Sequence, residues 1–179
     1  MFTLRPLTAA DADDVAGWRY PGPYAFYDTA ADPEDLAELL DVSGWAPDSH
    51  FGAWDDALDG APLAGFFTFE RAGRGVVDVG LGMRPERAGL GQGERFVRDG
   101  LAFARRRFAQ RRFTLAVAAF NQRAVTVYRR VGFVETGRHA RHLLVRDYPF
   151  VTMALEERRG EERDREEPGT RPGKDVTPP

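Results

Sequence analysis

Apolar residues recur along this chain with two periods, and the alternation between them predicts its elements. Phe2 and Leu4 alternate with Thr3 and Arg5, a short strand that Pro6 ends by withholding a donor. Thr8 reads as an N-cap, with acidic Asp11 in the first turn, for a helix running through Asp13 to Trp18. Asp32-Pro33-Glu34 opens a second helix, with Leu36, Leu39 and Leu40 on one stripe. Between these helices, Trp18 to Asp28 carries aromatics, prolines and a glycine, and reads as a structured loop because proline breaks both ladder and helix.

Period-two or continuous apolar runs then predict strands over His50–Trp54, Pro62–Glu70 and Val76–Met83. A glycine-bearing segment, Ala88 to Gly93, precedes a helix whose apolar face holds Val97, Leu101, Ala104 and Phe108. Phe113–Ala119 reads as a buried strand, and Asn121 caps a helix over Gln122–Val131 that Gly132 closes as the C′ residue. Two further strands are expected at about 134–145 and 150–155. From Glu156 the chain is charged, then Pro- and Gly-bearing, without apolar period. Residues 1–155 are therefore expected to form one domain and 156–179 a disordered tail.

Composition narrows the functional classes. The net charge of −3 gives no global case for nucleic acid or an anionic membrane, and no apolar run approaches a membrane span. The start, MFTLRPLTAADADD, lacks the basic and apolar segments of a signal peptide. Cysteine is absent, which removes disulfides, thiolate metal sites and a Cys nucleophile, and fits a cytoplasmic protein. Lysine occurs only at Lys174 while arginine is frequent, a usage expected of a GC-rich bacterial genome. His50, His139 and His142 have no acidic ligand pattern beside them, so no metal site is expected. The basic run Arg105–Arg112 falls at a helix end, where cations suit the dipole.

The loop carries the first chemical signal. Gly89, Gly91 and Gly93 permit a tight turn and close backbone approach, and the helix that starts there turns unpaired N–H groups toward the loop. That combination suits a pyrophosphate, although a plain strand–helix turn uses glycine equally well. On the preceding strand Asp78, Gly80 and Gly82 share a face, where two missing side chains leave room for a ligand beside a carboxylate. Asp78 is a candidate general base or a salt-bridged structural acid, with Glu70 as its rival. Tyr128 faces inward with Ala124 and Val131, as a core tyrosine or as a proton donor.

Strand, glycine loop and helix, then AFNQRAVTVYRRVGF (Ala119 to Phe133), resemble the GNAT superfamily of acetyl-CoA-dependent N-acetyltransferases. Its members carry an R/Q-x-x-G-x-G/A loop followed by N-x-x-A-x-x-x-Y-x-x-x-G-F, met here by Asn121, Ala124, Tyr128, Gly132 and Phe133. The resemblance implies an α/β (α+β) fold with a mixed, mostly antiparallel sheet of about seven strands and about four flanking helices. It implies acetyl-CoA as cosubstrate, contacted by the backbone of Leu81, Gly82 and Met83, by the loop Ala88, Gly89, Leu90, Gly91, Gln92 and Gly93, and by Asn121 and Tyr128. Two positions depart: Ala88 stands at the basic or amide position, with Arg87 displaced by one. Ala116 stands where relatives that acetylate protein N-termini carry glutamate.

These readings lead to acetyl transfer onto a primary amine by direct attack, with Tyr128 as acid and Asp78 as base. The alternative is a degenerate domain that binds CoA as a sensor. The amine is a small molecule or a peptide amine, and a homodimer stays open. Tyr20, Tyr24, Phe26 and Tyr27 lie where the family builds its acceptor wall, and Asp28, Asp32 and Asp78 would favour a cationic amine.

Overall fold

A computed structural model describes residues 1–57, 60, 62–143 and 146–156; the expected tail, apart from Glu156, lies outside the described residues. Seven strands form one sheet: β1 (Phe2–Pro6), β2 (His50–Asp55), β3 (Gly65–Arg71), β4 (Val76–Met83), β5 (Arg112–Ala118), β6 (Val134–Leu143) and β7 (Arg146–Glu156). Their order is β1-β2-β3-β4-β5-β7-β6, and only β4 and β5 run parallel. The cause is the connection, since parallel neighbours need a crossover, here supplied by α3 (Gly93–Phe108). The other α-helices are α1 (Ala9–Ala16), α2 (Pro33–Leu40) and α4 (Gln122–Val131).

The caps form where the sequence places them. Thr8 and Asp11 make a reciprocal capping box on α1, Asp32 accepts from the Glu34 and Asp35 amides of α2, and Asn121 accepts from Ala124 N. Gly132 ends α4 at φ 114, a left-handed value that costs glycine little. The Trp18–Asp28 segment is more ordered than a loop, because Gly22–Tyr27 winds into a 3₁₀ helix behind Pro21. Another 3₁₀ turn, Pro85–Arg87, separates β4 from the glycine loop.

Strand β7 begins at Arg146, upstream of the expected Phe150, with Pro149 inside it. The proline survives between two strands because its carbonyl still accepts from Ala119 N, at 2.8 Å. The donor it lacks is replaced by Gln122 Nε2, which reaches Ala119 O at 2.6 Å.

Both faces of the sheet are covered. One carries the main core, where Phe67, Val77, Val79, Phe113 and Leu115 pack against Phe96, Val97, Leu101 and Ala104 of α3 and Val125 and Tyr128 of α4. A smaller cluster on the other side joins Leu7, Val15, Trp18 and Leu63, with Tyr20 and Phe66 against it. Burial of these apolar faces is the dominant stabilising term.

Candidate functional site

Strands β4 and β5 pair only through Val76–Arg112, Val77–Phe113 and Asp78–Thr114, then part. Beyond that rung β4 stays in register with β3 as far as Gly65–Met83, and β5 stays with β7 as far as Ala118–Phe150. The result is a wedge-shaped cleft of about 460 Å³ at the middle of the sheet. Its β4 wall offers backbone. Arg84 N donates to Ala64 O, so the intervening residues Met83 and Leu81 turn their N–H and C=O groups away from β3, toward the cleft, while Val79 N–H serves the last rung to Thr114. Gly82 and Gly80 turn theirs to β3. The Met83 carbonyl already accepts from Tyr20 Oη at 2.8 Å.

The space expected beside Gly80 and Gly82 is filled by the protein itself. A Cβ at Gly80 would collide with Thr68 Oγ1, and one at Gly82 with the Phe66 ring. These glycines admit cross-strand side chains of β3, and both still border the cleft.

The loop supplies the second wall. Gly89 and Gly91 adopt φ of 85 and 76, and with Ala88 and Gly93 they line the cleft. Gln92 occupies the N-cap of α3 without a side-chain cap, leaving the first-turn amides open to a ligand. Leu90 is 66% exposed and, like Gln92, lies outside the lining. Arg87, the displaced basic residue, turns away: it and Arg95 hold the buried Asp55 carboxylate at 3.1 and 3.2 Å. A different cation serves the cleft. Arg123 stacks over the Tyr24 ring at 4.0 Å, and its Nη1 lies 3.2 Å from where a Gly89 Cβ would stand. Sequence reasoning missed it, and its only signal was the third place of the Asn-x-x-Ala segment.

Helix α4 brings Asn121, Ala124 and Tyr128 to the cleft. Tyr128 is buried, and that burial, with Tyr27 nearby, pushes its phenol above the ordinary tyrosine value. It therefore keeps its proton at any working pH. Asn121 has two duties: its Oδ1 caps α4, and its Nδ2 donates to the Tyr27 hydroxyl at 3.2 Å. Tyr27 belongs to an aromatic wall that also includes Trp18, Tyr20, Tyr24 and Phe66. Phe26 packs behind it on Tyr148 and Phe150.

The candidate acids are not gathered with these groups. Asp78 stands at the last β4–β5 rung, its Oδ1 accepting from Thr114 Oγ1 at 2.5 Å, and it does not line the cleft. Glu70 borders a separate cavity beside Trp45, His50 and Phe108. Asp28 accepts from Tyr20 N, and Asp32 caps α2. Ala116 does line the cleft. Among the described residues no group of His, Cys, Asp and Glu is placed to hold a metal, and no helix is long and apolar enough to cross a membrane. In the basic run, Arg107 pairs with Asp48 at the end of α3.

Known proteins share this fold. Spermidine N-acetyltransferase from Vibrio cholerae, solved with CoA and spermine, matches with a TM-score of 0.70 at 20% identity, covering 87% of this chain and 95% of that one. A GNAT-family acetyltransferase from Bacillus anthracis matches with a TM-score of 0.67 at 14% identity, covering 87% and 94%. No curated protein matches the sequence. The family model described as acetyltransferase (GNAT) domain matches residues 2–134, which takes in the splayed strands, the glycine loop and all of α4, and the chain belongs to that family.

Proposed function

We propose that this protein transfers an acetyl group from acetyl-CoA to a primary amine by direct attack. The observation that carries the reading is the cleft, where unpaired β4 backbone, the glycine loop and Tyr128 meet. The site suits acetyl-CoA on its own geometry. The uncapped first turn of α3 and the left-handed Gly89 and Gly91 form a backbone cradle for a pyrophosphate, with Arg123 beside it. The backbone groups of Leu81, turned away from β3 beyond the last β4–β5 rung, suit an extended amide-bearing arm.

Acetyl-CoA supplies an activated acyl group and a thiolate leaving group; the rest falls to the chain. Leu81 and Met83 N–H groups face the cleft and can receive the negative charge that builds on the carbonyl oxygen. As the amine nitrogen bonds to the acyl carbon and the carbon–sulfur bond breaks, the Tyr128 hydroxyl donates to sulfur. A phenol above its ordinary pKa is a weaker acid than a thiol of about 8.5, so it acts first by hydrogen bond and then in step with solvent. Asp78, with one oxygen held by Thr114, takes the ammonium proton through water. No covalent enzyme intermediate is required.

A second reading, a CoA-binding module without turnover, is favoured by Ala116 in the lining and by the absence of a lining carboxylate on that strand. Calorimetry with acetyl-CoA and CoA, followed by thiol release across polyamines, aminoglycosides, amino acids and short peptides, separates the two. Binding with turnover supports the enzyme, binding alone supports the module, and no binding at millimolar concentration sinks both.

A further inference from the structure

The acceptor end of the cleft has a composition of its own. Trp18, Tyr20, Tyr24, Tyr27 and Phe66 line it, drawn from the end of α1, the 3₁₀ helix and β3. The acids near this wall stay outside its lining, although Asp28 and Glu86 still act electrostatically on Tyr20. Asp14 pairs with Arg84, Asp28 receives Tyr20 N through one oxygen, Asp32 caps α2, and Asp78, with one oxygen on Thr114, reaches the cleft only through water. Among the described residues the one carboxylate in the lining is Glu94, beside the glycine loop and paired with Arg98. Arg123 and Arg130 are also in the lining, so its charged side chains sum to positive rather than negative.

We infer that the acceptor is a monoamine carried on an aromatic or apolar body, and that the cleft discriminates against polyamines. The inference rests on the acetyl-transfer reading for its site but not for its test. An ammonium group entering this wall meets aromatic faces, which attract a single cation. Each further ammonium would shed water with no lining carboxylate to replace it, near the Arg123 guanidinium that stacks on Tyr24. An aromatic ring on the ligand, by contrast, gains contact with Tyr24, Tyr27 and Phe66 and leaves no polar group unpaired. Selectivity then comes as much from what the cleft lacks as from what it offers.

The direct test is calorimetric titration of the full chain, with and without CoA, using 2-phenylethylamine and spermidine at physiological salt. The expected result is binding of 2-phenylethylamine at least tenfold tighter than spermidine. Tyr24 lies on the partly exposed 3₁₀ helix, and Tyr24→Glu should weaken 2-phenylethylamine while strengthening spermidine, narrowing or reversing the ratio. Equal or tighter binding of spermidine to the wild type overturns the inference, as does the absence of binding for both amines up to millimolar concentration. Selective amine binding without thiol release would remove the enzymatic reading and leave this one standing.

Discussion

Asn121 joins two walls of the cleft, donating from Nδ2 to the Tyr27 hydroxyl at 3.2 Å while its Oδ1 accepts Ala124 N at 3.1 Å. One side chain thus starts helix α4 and fixes the aromatic segment opposite it. Asn121→Ala should lose the cap, about 1 kcal/mol, seen as a fall of roughly 2–4 °C in Tm. It should also raise KM for the amine more than KM for acetyl-CoA, because Tyr27 loses its donor. Unequal effects on the two substrates, measured by initial rates, check this.

Gly91→Val should strain the loop, since φ of 76 is left-handed and a β-branched residue resists it. No atom lies within 4 Å of the added Cβ, so the cost is conformational rather than steric. Acetyl-CoA affinity measured by calorimetry should fall at least tenfold, with about 1–2 kcal/mol lost from folding. Leu90→Ala, at an exposed neighbour, should change neither.

Asp55 offers a test by pH. Burial alone would raise its pKa, but the Ala57 amide, Arg95 and Arg87 together hold it below the usual carboxylate value. An acid lowered in the folded state adds stability above its unfolded pKa of about 3.9, and that contribution is lost as the pH falls through the folded value. Asp55→Asn should therefore lower Tm at pH 7, with the gap to wild type closing as the pH falls below about 3.9. A gap independent of pH would show that the loss is one of packing.

Much of this architecture was legible locally. Thr8, Asp32 and Asn121 announce caps because a short polar side chain satisfies amides two or three residues on, whatever the tertiary fold. The glycine loop and the Asn121–Phe133 spacing were equally plain. Long-range facts were not. Nothing local says that Thr68 and Phe66 fill the space over Gly80 and Gly82, or that Arg87 turns to Asp55 and leaves the loop to Arg123. The start of β7 at Arg146, ahead of Pro149, was hidden for the same reason, because the replacement of the proline's missing donor by Gln122 is a contact across elements.

Asp78→Asn tests the proton path. With Asp78 acting through water, kcat should fall by about 10²-fold and the acidic limb of the pH–rate profile should flatten. An unchanged profile would pass the proton to bulk solvent and leave the Thr114–Asp78 bond as a clasp where the strands part.

Tyr128→Phe is the most direct test of acetyl transfer in this cleft, because it removes one hydroxyl and keeps the ring packed against Phe133. The measurement is thiol release from acetyl-CoA and from a thioester with a poorer leaving group, using an amine that the wild type accepts. We expect unchanged CoA affinity, a fall in kcat of about 10²-fold with acetyl-CoA, and a larger fall with the poorer leaving group. Equal kcat for wild type and Tyr128→Phe on both thioesters would contradict the claim that this cleft transfers acetyl groups with Tyr128 donating to the departing sulfur.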